Sequence, residues 1–264
     1  MLAAAYHVQI ERHEVGTEGL VALRFTRADA EQDHSRPLVF VLHGLLSRKE
    51  RHLDLCLRLA QAGFAAVALD APHHGDRSDE QTSSLYGDRT ALAFLLTFAD
   101  AVQGAVRDIQ ILADYFKATR YGLVGHSMGG YTAVHAAMAD KRAAAVVNVS
   151  GAIEVDAASS PAVRMLVASS PQVASLLASA NLAGRAGELY PRPVLLLHGD
   201  ADETVPVAGA RRLHQALQTA YAQTPDGVTL REFAGAGHEF RPEMADAAVQ
   251  FLAQWLKPEK EQAS

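Results

Sequence analysis

The chain has little of several things that would point to particular functions. It carries one cysteine, Cys56, in 264 residues, so it can form no internal disulfide. That cysteine lies in a run containing Leu53, Leu55, Leu57 and Leu59, where a thiol reads as a small buried hydrophobe rather than a nucleophile. Basic residues are outnumbered, 24 Lys and Arg against 30 Asp and Glu, for a net charge of −6. Phosphate neutralisation needs a basic surface, so nucleic acid is not an expected partner. No stretch approaches the roughly 20 apolar residues of a membrane span. The opening Met1-Leu2-Ala3-Ala4-Ala5 turns polar at His7 and Gln9, without the basic and apolar regions of a signal peptide. The expectation is a cytoplasmic protein that meets no membrane. Repeats of solenoid length and low-complexity segments are also lacking.

What is present is ordinary globular composition, 49% hydrophobic and 20% charged, in a length that suits one large α/β domain with a full core. Segments 6–14 and 20–27 alternate apolar and polar residues around Gly16 and Gly19, as an antiparallel edge hairpin does. Short apolar runs follow at 38–42, 64–69, 122–124, 144–149 and 194–197, with a more alternating one at 228–233. Runs hydrophobic on both faces belong to a parallel sheet covered by helices on both sides. Helical periodicity fills the gaps at 51–62, 91–117, 129–139, 207–221 and 242–256, the last opening on a proline. This alternation predicts an α/β, doubly wound, mostly parallel sheet with antiparallel strands at its N-terminal edge. Between Gly151 and Pro191 the pattern lapses into Ala- and Ser-rich sequence with helix-like pieces near 162–169 and 173–182. That stretch, about 152–190, is expected to form a small helical cap within a single domain spanning 1–264.

The strongest chemical signal is Gly125-His126-Ser127-Met128-Gly129-Gly130, between the apolar run ending at Val124 and a helical segment. A nucleophile on a sharp strand-to-helix turn needs small residues two before and two after it, which Gly125 and Gly129 supply. The plainer reading, a glycine-rich turn with a surface serine, is weakened by that strand and helix context. Acyl transfer also needs two fixed backbone donors for the oxyanion. Met128 offers one N–H, and Leu45, in Leu42-His43-Gly44-Leu45-Leu46-Ser47, is expected to offer the other, with His43 as a buttress.

Twelve histidines compete for the role of base. His7 and His13 fall on the edge hairpin, His34 in a polar loop, and His52, His135 and His214 in helices. His126 adjoins the nucleophile but should point away from it. His238, in Ala234-Gly235-Ala236-Gly237-His238-Glu239-Phe240 after the last strand, can swing over the sheet edge. The acid that orients it should follow the preceding strand. Leu197-His198-Gly199-Asp200-Ala201-Asp202-Glu203-Thr204-Val205-Pro206 offers three carboxylates, of which Asp202 is the expected partner. Asp200 sits close enough to the strand end to hold the loop through its own hydrogen bonds. The chain order Ser, Asp, His is that of one hydrolase fold.

In these residues the chain resembles the α/β-hydrolase superfamily. Within it, the similarity is to small bacterial serine esterases related to dienelactone hydrolases and prolyl-oligopeptidase catalytic domains. The resemblance rests on His43-Gly44, on Asp70-Ala71-Pro72-His73-His74-Gly75-Asp76-Arg77-Ser78, on the elbow, on the Asp202 loop and on Gly237-His238. It implies the α/β-hydrolase fold and a serine carboxylesterase acting on a small-molecule ester through Ser127, His238 and Asp202. No cofactor and no metal are implied. The clustered Asp70, His73, His74 and Asp76 invite a metal reading, but zinc ligands converge from separate elements. His43, His73, His74 and Arg77 are instead expected to shape the substrate pocket, together with Met165.

The cap residues Val163, Met165, Leu166, Val167, Leu176 and Leu177, with Leu92, Phe94, Leu95, Leu96 and Phe98, suit a compact pocket for short to medium acyl chains. They also suit plain core. Alternatives on the same triad are a peptidase or amidase, or a thioesterase. From another class comes a non-catalytic hydrolase-fold protein, a reading weakened because no triad candidate is missing. A monomer or a homodimer fits the composition equally.

Overall fold

The computed structural model describes residues 7–16, 19–28, 36–87, 92–152 and 181–256, with the scattered residues 164, 165, 167, 168, 174, 178 and 180. Among the described residues, eight strands form one sheet: β1 (Val8–Val15), β2 (Leu20–Arg27), β3 (Leu38–Leu42), β4 (Ala65–Leu69), β5 (Tyr121–His126), β6 (Ala143–Val149), β7 (Val194–Gly199) and β8 (Val228–Phe233). Their spatial order is β1-β2-β4-β3-β5-β6-β7-β8. The β1–β2 and β2–β4 pairs are antiparallel, and all later pairs are parallel. The order reverses between β4, β3 and β5, and at such a switch point the carboxyl ends of the strands open a crevice.

Among the described residues, the sheet is covered by the α-helices α1 (Leu53–Gln61), α2 (Leu92–Tyr115), α3 (Met128–Ala139), α4 (Val207–Ala220) and α5 (Pro242–Leu256). Successive strand residues point to opposite faces, and the core divides accordingly. Leu38, Phe40 and Leu42 of β3 pack on one side with Ile109 and Leu112 of α2, Val134 of α3 and Leu213 of α4. Val39 and Val41 pack on the other with Leu55 and Leu59 of α1 and Phe251 and Leu252 of α5. Burial on both faces is why these strands read as unbroken apolar runs. The edge strand β1 keeps most of its side chains at least partly exposed, which is why it alternates.

Boundaries differ from expectation where a polar residue caps an apolar run. The helix expected from Arg51 begins at Leu53, because Lys49–His52 forms a tight 3-10 turn. Asp70 holds that turn, accepting from both the backbone N–H (2.7 Å) and the ammonium (2.7 Å) of Lys49. β5 extends beyond its apolar centre to Tyr121 and His126. Most of the cap expected at 152–190, including Val163, Leu166, Leu176 and Leu177, lies outside the described residues. Its described end is a 3-10 turn at Ala183–Leu189. No helix among the described residues is long and apolar enough to cross a membrane.

Candidate active site

Ser127 stands between the end of β5 and the start of α3 with φ 57° and ψ −121°, a backbone state that only a surrounding structure can hold for a residue with a side chain. What holds it is close packing of glycines. A Cβ on Gly125 would fall 2.2 Å from the carbonyl of Gly129, and one on Gly129 would fall 2.3 Å from the carbonyl oxygen of Leu42. The N–H of Ser127 donates to the Val149 carbonyl at the end of β6 (2.8 Å). Asn148, buried in that strand, donates from its side-chain amide to the Gly130 carbonyl (3.1 Å) and accepts from the Gly151 N–H (2.9 Å). Asn148 escaped the sequence reading. The signal was a polar amide inside Val146-Val147-Asn148-Val149, where burial demands partners.

The hydroxyl of Ser127 lies 2.8 Å from Nε2 of His238. Nδ1 of the same ring lies 2.7 Å from Oδ2 of Asp202. A carboxylate accepts only, so Nδ1 carries the proton and Nε2 is left to accept from the serine. The structure therefore brings Ser127, Asp202 and His238 into one hydrogen-bonded line at the carboxyl ends of β5, β7 and β8. Asp202 is buried, 5% exposed. Burial by itself raises its carboxyl, but the N–H of Val205, then His238 and the N–H of Thr204, outweigh burial and hold it below the usual range. Those donors lie at 2.8 Å (Val205) and 2.9 Å (Thr204) on Oδ1, leaving Oδ2 for the imidazole.

Asp200 faces another way. It accepts the Gly235 N–H at 2.7 Å and ties the Asp202 loop to the segment carrying His238. His198 donates from Nε2 to the Val205 carbonyl at 2.8 Å, closing the same loop from beneath.

The loop after β3 lies against the serine, since a Cβ on Gly44 would sit 3.4 Å from Cβ of Ser127. Among the described residues, no turn or loop hydrogen bond uses the N–H of Leu45. Met128 is the first residue of α3, so its N–H has no acceptor within the helix. Among the described residues, neither N–H is used in a turn or loop hydrogen bond.

Of the two roles expected for His43, buttress of the loop after β3 and lining of the pocket, the structure shows the bracing one. His43 is buried, 3% exposed, with Nδ1 donating to the Gly44 carbonyl (2.8 Å) and Nε2 accepting the Ala71 N–H (3.0 Å). Both nitrogens are used within the protein, which braces the loops after β3 and β4 against each other and removes His43 as a base. Arg77 is a correction. Its guanidinium meets Asp108 of α2 at 2.5 Å and the Asp70 carbonyl at 3.1 Å, so it anchors the β4 loop to the helix. His73 and His74 line a cleft of about 520 Å³ with Leu46, Ser47, Arg48 and Arg51, a lining that includes none of Ser127, Asp202 and His238. Met165 is 70% exposed.

The carboxylates once readable as metal ligands are engaged elsewhere. Lys49 Nζ lies 2.7 Å from both Asp70 and Asp76. His73 lies between Asp79 (2.7 Å) and Asp100 (3.0 Å). The sequence reading missed Lys49, a buried cation at the start of a helical segment.

A sheet of this topology with a serine at the β5–α3 turn defines the class as the α/β-hydrolase fold. A hydrolase family described as serine aminopeptidase, S33, matches residues 33–185, more than half of the chain, and the chain belongs to it. The chain is 29% identical to the esterase YjfP of Escherichia coli over 86% of its length and 92% of that protein. Similarity to YitV of Bacillus subtilis is 28% identity over 95% of this chain and 98% of the relative. The crystal structure of TT1662 from Thermus thermophilus matches with a TM-score of 0.74 and 25% identity, covering 96% of this chain and 100% of that one. The chain is an enzyme of the esterase type.

Proposed function

We propose that the protein hydrolyses carboxylic esters of short to medium acyl chain through an acyl-enzyme on Ser127. The observation that carries this reading is the unbroken line from Asp202 Oδ2 to His238 Nδ1 (2.7 Å) and from His238 Nε2 to Ser127 Oγ (2.8 Å). Ser127 Oγ attacks the ester carbonyl as its proton passes to Nε2 of His238. The ionised Asp202 fixes the imidazole tautomer and stabilises the imidazolium. The oxyanion of the tetrahedral intermediate is bound by the N–H groups of Leu45 and Met128, aided by the positive end of α3. His238 then gives its proton to the leaving alcohol. Water, activated by the same imidazole, releases the acid from Ser127 and restores the enzyme.

The acyl side is read from apolar residues beside Leu45. Phe94, Leu95 and Leu85 form a buried cluster against which Leu45 and Phe98 pack, and Phe94 stacks on Phe98 at 5.8 Å. Such a wall favours alkyl chains by about 0.8 kcal/mol per methylene removed from water.

A peptidase reading needs an anionic partner for the substrate amine. The carboxylate lining the neighbouring cleft, Glu50, already lies 3.3 Å from Lys49, which favours the ester reading. The test is a panel of para-nitrophenyl esters, aminoacyl anilides and acyl thioesters, with a fluorophosphonate label located by mass spectrometry. Ester turnover with the label on Ser127 is expected. Anilide cleavage outpacing ester cleavage, or a label elsewhere, would overturn the proposal.

A further inference from the structure

The histidine beside the nucleophile has a part in the site that its position in the elbow does not explain. His126 Nε2 lies 3.0 Å from the main-chain carbonyl of His238. A carbonyl only accepts, so Nε2 carries the proton and His126 donates. Its ring also packs on that of His238, centroids 5.1 Å apart, and on Phe240 at 5.9 Å.

The segment that carries His238 runs from the end of β8 to the start of α5. Its near end is well tied. The Ala236 N–H donates to Phe233, and the Ala236 carbonyl accepts from Ala201 at 2.9 Å. At the far end, Met244 and Ala245 donate to Arg241. Among the described residues, no backbone-to-backbone hydrogen bond involves residues 237–240. Among the described residues, the tie from another element to the backbone of that stretch is the one His126 makes, to the residue that bears the imidazole.

We propose that His126 is a positioning residue, which holds the main chain of His238 so that Nε2 stays in line with Ser127 Oγ through the proton transfers. This rests on the esterase reading of the site. One residue of β5 thereby sets both partners, since its backbone leads into Ser127 and its side chain holds the loop of His238.

The charge state of His126 suits the task. Burial, then the nearby His238, push its pKa down to about 4, so it stays neutral over the working range of a histidine base. A second imidazolium packed on His238 would oppose the protonation that each half-reaction requires. His52, whose ring packs edge-on against His126 at 5.6 Å, is pushed down to about 3, chiefly by burial. Arg51 on the neighbouring turn lowers the pKa of His126 further, while the hydrogen bond to the His238 carbonyl, and then Asp202, oppose.

The test separates the donor from the ring. His126→Phe keeps an aromatic face against His238 and Phe240 but has no donor. His126→Gln loses the ring but offers an amide N–H at similar reach. Misplacement of a catalytic group by a fraction of an ångström to 1 Å costs about 10- to 100-fold. The Phe variant should lose turnover on that scale with KM nearly unchanged, and label more slowly with fluorophosphonate. The Gln variant should recover most of both. Equal losses in the two variants, or wild-type turnover in the Phe variant, would overturn the proposal.

If either variant fails to fold, imidazole 15N spectra of the wild-type protein decide. A protected Nε2–H on His126 that persists without titrating from neutral pH down to pH 5 supports the role, and an Nδ1–H tautomer or titration between pH 6 and 7 contradicts it. These spectra do not depend on turnover. A protein with no ester activity therefore contradicts the esterase reading alone.

Discussion

Two histidines at the carboxyl edge of the sheet each face aspartate at 2.7 Å, and they are built for opposite ends. His238 gives Nδ1 to Asp202 and presents Nε2 to a serine hydroxyl. His73 presents Nδ1 to Asp79 and Nε2 to Asp100. A general base must keep a lone pair facing the proton it is to take. His238 does, whereas both nitrogens of His73 are occupied by carboxylates, and the ring serves as a clamp between the β4 loop, the turn at Asp79 and α2. A His–Asp pair therefore defines no catalytic function by itself. The occupant of the second nitrogen decides it.

Removing what only one of the two histidines touches should have the largest effect. Ser127→Ala should lower ester turnover by on the order of 10⁶-fold, as loss of a nucleophile does in other serine hydrolases, and should abolish fluorophosphonate labelling. Thermal unfolding should shift little, because a hydroxyl at the mouth of the site contributes little packing. Wild-type turnover in this variant would remove Ser127 from the mechanism.

Neutralising the acid of each pair in turn sharpens the contrast. Asp202→Asn should cost up to roughly 10⁴-fold in turnover, since the amide favours the wrong imidazole tautomer. Asp100→Asn removes one jaw of the clamp and should leave turnover within a few-fold. Its effect should appear in stability, at roughly 0.2–1 kcal/mol for a half-exposed pair. Steady-state kinetics and denaturant titration of both variants check the assignment. A crippled Asp100→Asn enzyme would mean that the clamp shapes the reacting geometry.

How much of this was legible in the sequence depended on whether a residue's role was local. The strands β3 to β7 were readable because burial on both faces writes a continuous apolar run. Ser127 was readable because the elbow demands glycines at fixed spacing. Asp202 and His238 were nominated by order along the chain, and the oxyanion loop by its His-Gly pair. The clamp role of His73 could not be read, because its partners lie 6 and 27 positions away on elements whose relative placement only the fold sets. For the same reason Arg77 was expected to line a pocket and instead braces a loop, whereas His43, expected both to buttress and to line the pocket, braces. The tie from His126 to His238 spans 112 positions and has no sequence signature at all.

The buried and half-buried histidines outside the reacting line predict the response to acid. Burial pushes His74, His126 and His135 down to about 4 and His52 to about 3. In the unfolded chain a histidine titrates near 6.5. Between about 6.5 and the folded values the unfolded state binds more protons, so stability rises with pH in that window. Each such group contributes up to about 1.4 kcal/mol per pH unit. Asp202, held below its ordinary value, acts with the same sign at lower pH: its contribution is present above the unfolded carboxylate value and is lost as pH falls through the folded one. The melting temperature should therefore fall as pH drops from 7 to 4.5. His135→Gln, on α3 beside Tyr131 at 4.5 Å, should flatten that slope without changing the pH profile of turnover. A melting temperature constant over this range would contradict the buried neutral histidines.

The smallest effect concerns the wall beside the oxyanion loop, where the two regions of the comparison meet. Leu45 lies in the loop over Ser127, and Phe94 and Phe98 lie on α2, the helix that the His73 clamp reaches through Asp100. Phe94 is buried, and Phe98 stacks on it and approaches Tyr131 at 6.0 Å. If an acyl chain runs along this wall, each added methylene should improve kcat/KM by up to about fourfold, the equivalent of roughly 0.8 kcal/mol, until the wall ends. Specificity constants for unbranched para-nitrophenyl esters should then peak at short to medium length and fall for longer chains, with no activation by emulsions. Phe98→Ala should move that peak to longer chains by opening the far end of the wall, at little cost to the shortest ester, whose chain does not reach it. An unchanged peak in Phe98→Ala would place the acyl chain elsewhere. A steady rise to long-chain lipids in the wild-type enzyme would replace the compact pocket with an open one.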